Sequence, residues 1–132
     1  MDLTLYTEAF QQDDQSWLGS AHGTDSARTI TLDASKFTAG THYPNGYLPS
    51  GTALGVVTAG GKYGPYDDAA SDGRQTLVGF LFTAVKMRTG SSPQGALLDH
   101  GRIVQTKLPF QSGTGSVDTA GKTDLGTRII FV

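Results

Sequence analysis

The chain has 132 residues, no cysteine, 18 glycines and only 17% charged residues, with a formal net charge of −2. One domain of this mass buries about two thirds of roughly 20,000 Å² of unfolded-chain surface, enough for a core without covalent staples. Disulfide scaffolds, thiolate metal sites and cysteine nucleophiles are excluded, and so small a net charge argues against a nucleic-acid surface.

Glu8 is the sole glutamate, while Gly, Asp, Thr and Ser are abundant. These residues favour turns, caps and strands over long helices, so a mostly β protein with at most one short helix is predicted. No apolar run is long enough to span a bilayer, and Asp2 stands where an export signal would carry basic charge. The reading is therefore a protein with no membrane partner.

Charge is distributed unevenly. Residues 1–26 hold Asp2, Glu8, Asp13, Asp14 and Asp25 and no Lys or Arg, whereas all ten basic residues lie from Ala27 onward. Such asymmetry marks either an interaction tail or an acidic segment lying against its own body. The apolar points Leu3, Leu5, Tyr6, Phe10, Trp17 and Leu18 follow no helical period, although Leu3 and Leu5 share the period of a strand. The expectation is an extended N-terminal arm over 1–26, sticky at those six points, followed by one β-rich domain over 27–132.

Ordered signals begin with Arg28 to Asp33, whose Ile30 and Leu32 alternate as in a half-buried strand. Tyr43 to Gly51 reads as turn and loop. Thr52 to Thr58 is a short apolar strand ended by Gly60 and Gly61, and Lys62 to Tyr66 returns beside it, with Pro65 confining that return to a sheet edge. Asp67 to Gly73 is a break or a single helical turn.

Thr76 to Met87 has the pattern of one long strand with apolar residues on both faces, which calls for cover on two sides or for a partner subunit. Gly90 to Gly95 is a loop. Ala96 to Leu108 reads as a strand bulged or bent at Gly101, and residues 111–124 read as a Gly, Ser and Thr-rich loop. The apolar ending Ile129-Ile130-Phe131-Val132 must dock, since an exposed strand of this kind aggregates.

Catalytic and metal chemistry find little footing. GVVTAGGK lacks the first glycine and the Ser or Thr of a phosphate loop, with Val56 and Tyr63 in those places. Asp67, Asp68 and Asp72 do not follow calcium-loop spacing, and Ala69 and Ala70 occupy positions where ligands would be needed. His22, His42 and His100 fall in no ligand or triad pattern. The expectation is a non-enzyme with no cofactor, no metal and no catalytic residue.

One stretch carries a resemblance. LPSGTALGVVTAGGKYGPYDDAASDGRQTLVGFL, residues 48–81, is similar to the lambda-type phage head decoration proteins. Leu48, Pro49, Gly51, Gly55, Gly61, Lys62, Tyr63, Pro65, Tyr66, Asp67, Asp72, Gly73 and Gly79 fall on that family's pattern in order. Asp99-His100-Gly101 with Ile103, and Gly126 to Val132, resemble its later parts.

The resemblance implies a β-clip or β-tulip body, a homotrimer, and a place on the outer capsid surface of the virion after synthesis in the host cytoplasm. It implies clamping of the major capsid protein at three-fold positions, against internal DNA pressure. Lys62, Tyr63, Pro65, Tyr66 and Asp67 form the motif loop, and by position the arm residues would bind the capsid. A receptor- or carbohydrate-binding β module of a phage tail or secreted protein is the alternative, although Asn45 is the only asparagine available to a sugar site.

Overall fold

The computed structural model of the chain describes residues 13–21, 23–24 and 27–132. The expected arm points Leu3, Leu5, Tyr6 and Phe10, together with His22, lie outside the described residues.

The body is mostly β. Its elements are β1 (Arg28–Thr31), a 3₁₀ turn (Ala34–Lys36), α1 (Ala39–His42), β2 (Tyr47–Leu48), β3 (Ala53–Val56), β4 (Tyr63–Pro65), β5 (Gly79–Leu81) and β6 (Val85–Lys86). There follow β7 (Gln94–Leu98), β8 (Gly101–Ile103), a 3₁₀ turn (Gln105–Lys107), α2 (Thr119–Leu125) and β9 (Ile129–Phe131). An antiparallel five-stranded sheet runs β1-β7-β5-β3-β4, and two small sheets pair β2 with β6 and β8 with β9. As expected, β3 and β4 form a hairpin with Leu54 opposite Pro65, and the proline strand is the sheet's edge.

Both faces of the large sheet are buried, because successive strand residues point to opposite sides. Ala53, Phe80 and Leu98 join one cluster with Trp17, Tyr66, Leu77, Ile103, Leu125 and Ile129. Leu54, Leu81 and Leu97 join the other with Leu32, Phe37, Leu48, Val85 and Met87. The chain thus supplies its own cover for the two-faced segment Thr76 to Met87, and no partner subunit is needed for that purpose.

That segment is not one strand. It breaks at Phe82, where the backbone carbonyl accepts from the Ser50 hydroxyl at 2.6 Å and the Gln15 side-chain amide at 2.7 Å. The chain bends through residues 82–84, and β6 then pairs with β2 in a separate sheet. Hydrophobic alternation cannot register this bend, since the residues on either side of it are equally apolar. Gly101 opens a new strand, and residues 111–124 contain α2 rather than loop alone.

The arm boundary also moves. Trp17 is 1% exposed, tilted against Phe80 with ring centroids 6.1 Å apart, and its indole N–H donates to Ser50 Oγ at 3.0 Å. Leu18 forms an antiparallel bridge to Ile103, and the Gly19 N–H donates to the Arg102 carbonyl. Trp17 and Leu18 are therefore parts of the body's packing, and residues 13–19 form a strap across it. Polarity in the surrounding run DDQSW hid this, because the strap is held by one buried indole and by hydrogen bonds of Asp13, Gln15 and Gly19 with residues distant in sequence.

Gly51 shows how closely the strap is fitted. Its φ is +95°, and a Cβ there would lie 2.9 Å from the Trp17 indole nitrogen and 2.8 Å from Pro109 Cδ.

Trp17→Ala should lower unfolding free energy by about 3–5 kcal/mol through cavity formation and loss of the Ser50 partner. Trp17→Phe should cost less, because its ring refills most of the cavity against Phe80. Chemical unfolding measures both, and an unchanged midpoint in Trp17→Ala would show that the strap is not part of the cooperative unit.

Candidate functional site

The motif loop grows out of the β3–β4 hairpin. Lys62 is exposed and donates to Ser92 Oγ at 3.0 Å. Tyr63 is half-buried, and its carbonyl accepts from the Asp33 N–H at 2.9 Å. Pro65 is buried, with its carbonyl 3.3 Å from an Arg74 guanidinium nitrogen. Asp67 turns its carboxylate to the Ala69 N–H at 3.0 Å, an Asx turn that starts the acidic loop.

Tyr66 is the keystone of this region. It is 1% exposed, and its phenol donates to Asp118 Oδ1 at 2.7 Å. The same carboxylate oxygen accepts the Gly121 N–H at 2.7 Å and so caps α2. Burial, then the Asp118 carboxylate, push the Tyr66 phenol well above its usual range, so it stays neutral and donates. One hydrogen-bonded pair therefore joins the motif loop to a helix more than fifty residues later.

The loop closes at Asp72, Gly73 and Arg74. Arg74 Nε lies 3.0 Å from Asp72 Oδ2, and Lys36 Nζ lies 3.5 Å from the same oxygen. Hydrogen bonds from Arg74, with smaller help from Lys36, hold the Asp72 carboxyl below the usual range. Gly73 has a φ of +116°, and a Cβ there would lie 2.3 Å from the Val56 carbonyl. Only glycine meets both demands.

The five motif residues thus lie side by side, with Pro65 and Tyr66 buried, Tyr63 and Asp67 half-buried and Lys62 exposed. Of the described arm residues, Trp17 shares one core cluster with Tyr66 and Leu18 packs against that cluster, so both belong to the body's packing. Sequence reading missed Asp118, Ser50 and Asp124, the last of which accepts the Leu77 N–H at 3.0 Å. The available signal was Asp118 three residues before Gly121, with Gly126 closing the helix.

His42 is 2% exposed. Its Nδ1 accepts from the Thr38 N–H at 2.8 Å, which leaves Nε2 protonated to meet the Thr114 carbonyl at 3.1 Å and hydroxyl at 2.9 Å. Burial lowers its pKa, so it is a neutral structural group. Among the described residues no cluster of three His, Asp or Glu side chains is placed to hold a metal, and no helix is long and apolar enough to cross a membrane.

Two predictions follow from these pairs. Tyr66→Phe should lower stability by about 1–3 kcal/mol near neutral pH, since it strips a donor from a buried contact of Asp118. Because the folded phenol's pKa is raised, wild-type stability should fall as pH rises above about 10, and denaturant titrations of Tyr66→Phe should lack that component. His42 is lowered in the fold, so the unfolded chain binds the extra proton. Stability should fall as pH drops below about 6.5, and His42→Gln should flatten the slope between roughly pH 7.5 and 5.5. Equal slopes in both proteins would remove His42 from the pH response.

Comparison with known proteins completes the site. No curated protein matches the chain. A family model described as bacteriophage lambda head decoration protein D matches residues 11–129, a span that takes in the strap, the motif loop and α2. The family is one of structural capsid proteins, and decoration of a phage head is the role it supports. Across nearly its whole length, this chain belongs to the family of bacteriophage lambda head decoration protein D.

Proposed function

We propose that the protein sits as a homotrimer on the outer surface of a phage head, at three-fold positions, and clamps neighbouring copies of the major capsid protein against internal DNA pressure. The body is read as a β-clip, or β-tulip, and residues 1–12 as the attaching segment, with Leu3, Leu5, Tyr6 and Phe10 as its apolar contacts. This revises the attaching segment to end where the strap begins, and it takes Trp17 and Leu18 out of the set that meets the shell.

The observation that carries this reading is the docked strap. Asp13 Oδ1 accepts the Ala84 N–H at 2.5 Å, and Trp17 is locked four residues later, so the strap starts from a fixed point beside the β5–β6 bend. Twelve residues reach at most about 40 Å from that point when extended. Leu3 and Leu5 have the alternation that strand addition to a capsid-protein sheet requires.

Magnitudes explain why three copies would act together. Ordering about ten residues costs on the order of 10–20 kcal/mol of backbone entropy, so one segment gives modest net affinity. Linking three on one rigid body raises avidity by about 10² to 10⁴. Binding the assembled shell in preference to the loosened one then stabilises the shell by linkage.

The test uses heads that lack the protein. Wild type should co-sediment with them, whereas deletion of residues 2–12 should leave the melting temperature within a few degrees and weaken attachment at least about 100-fold. Leu3→Asp with Leu5→Asp should do nearly as much, because two carboxylates would be buried at a sheet edge. Normal attachment by both variants would overturn the role of this segment.

A further inference from the structure

Among the described residues, strand β9 pairs only with β8 and so leaves one edge open, and Ile130 and Val132, 48% and 59% exposed, are the exposed large apolar side chains. Beside it runs a cleft of about 260 Å³ whose lining includes His100, Arg102, Arg128 and Ile130. Neither Arg102 nor Arg128 pairs with a carboxylate among the described residues. The Arg128 guanidinium is instead 3.3 and 3.4 Å from the Leu125 and Asp124 backbone carbonyls.

A second cleft, of about 460 Å³, shares no residue with the first and carries the opposite charge. Asp67, Asp68 and Asp118 line it, together with Tyr66, Val117 and the amide of Gln111. None of the three carboxylates is ion-paired among the described residues. A basic, apolar-edged surface and an acidic hollow thus occur on one chain, and Arg102, Arg128, Asp67, Asp68 and Asp118 form no ion pair among the described residues.

Ring assemblies use two different patches on every copy, since the head of one subunit meets the tail of the next. We propose that the open β9 edge, with Arg102 and Arg128, docks into the acidic cleft of a second copy, and that this contact closes the trimer. The assignment rests on the trimeric reading above and gives it an interface. Cover for Ile130 and Val132 supplies apolar burial, while the paired charges set orientation and exclude the head-to-head arrangement, which would oppose like charges.

The experiment is a charge swap read by sedimentation equilibrium at micromolar concentration, with melting curves to verify folding. Wild type should weigh about three times 13.9 kDa. Arg102→Glu with Arg128→Glu should dissociate it, raising the dissociation constant by about 100-fold or more, and Asp67→Lys with Asp68→Lys should do the same. Because Asp67 also caps Ala69, Asp68→Lys alone serves as the milder variant, with a smaller shift in the same direction.

All four substitutions in one chain restore opposite charges across the contact and should restore the trimer. A trimeric wild type whose charge variants stay trimeric overturns this interface and leaves the decoration reading standing. A monomeric wild type overturns the interface and the trimeric reading together. If deletion of residues 2–12 alone dissociates the trimer, the acidic N-terminal segment covers β9 and the cleft assignment is wrong.

Discussion

A single backbone carbonyl, that of Phe82, organises much of the molecule. It has left the ladder of the large sheet and accepts from Ser50 and Gln15, and the Ser50 hydroxyl in turn receives the Trp17 indole N–H. Removing this carbonyl from the ladder ends β5, lets the chain leave the large sheet and pair with β2 as β6, and gives the strap its anchor. The strap then delivers Leu18 to β8 and thereby seats the C-terminal sheet. Among the described residues no buried side-chain N or O lacks a partner, so the arrangement meets the usual condition for burying polar groups.

What was legible in the sequence follows from how local each signal is. The β3–β4 hairpin could be read because two glycines, a proline and an apolar run all lie within fifteen residues, and β1 because Ile30 and Leu32 alternate before a polar turn. The split of Thr76 to Met87 could not, since its cause is a hydroxyl on residue 50 and an amide on residue 15. Trp17 was read as an arm contact for the same reason: its partners Ser50 and Phe80 are distant in sequence. Helix α2 was hidden by its composition, as TAGKTDL contains a glycine and only one large apolar residue, Leu125. Its cap, Asp118, announced the helix more clearly than its interior did.

The family pattern takes on physical content in the same way. Tyr66 and Gly73 are fixed by construction, one by the Asp118 pair across the body and the other by the Val56 carbonyl that forbids a side chain. Family resemblance in this loop therefore reports a shared scaffold. Attachment would fall to the segment that precedes the strap, and the contact between copies to the β9 edge. A rigid body with short, separate contact elements suits a protein that decorates a phage head.

The measurement that bears most directly on this account is an electron cryo-microscopy reconstruction of heads mixed with the purified protein. The account predicts density on the outer surface at three-fold positions, with three bodies around each axis, the β5–β6 bend facing the shell, and continuous chain density from Asp13 into a capsid-protein sheet. Undecorated heads, or bodies attached with the strap turned away from the shell, would contradict it.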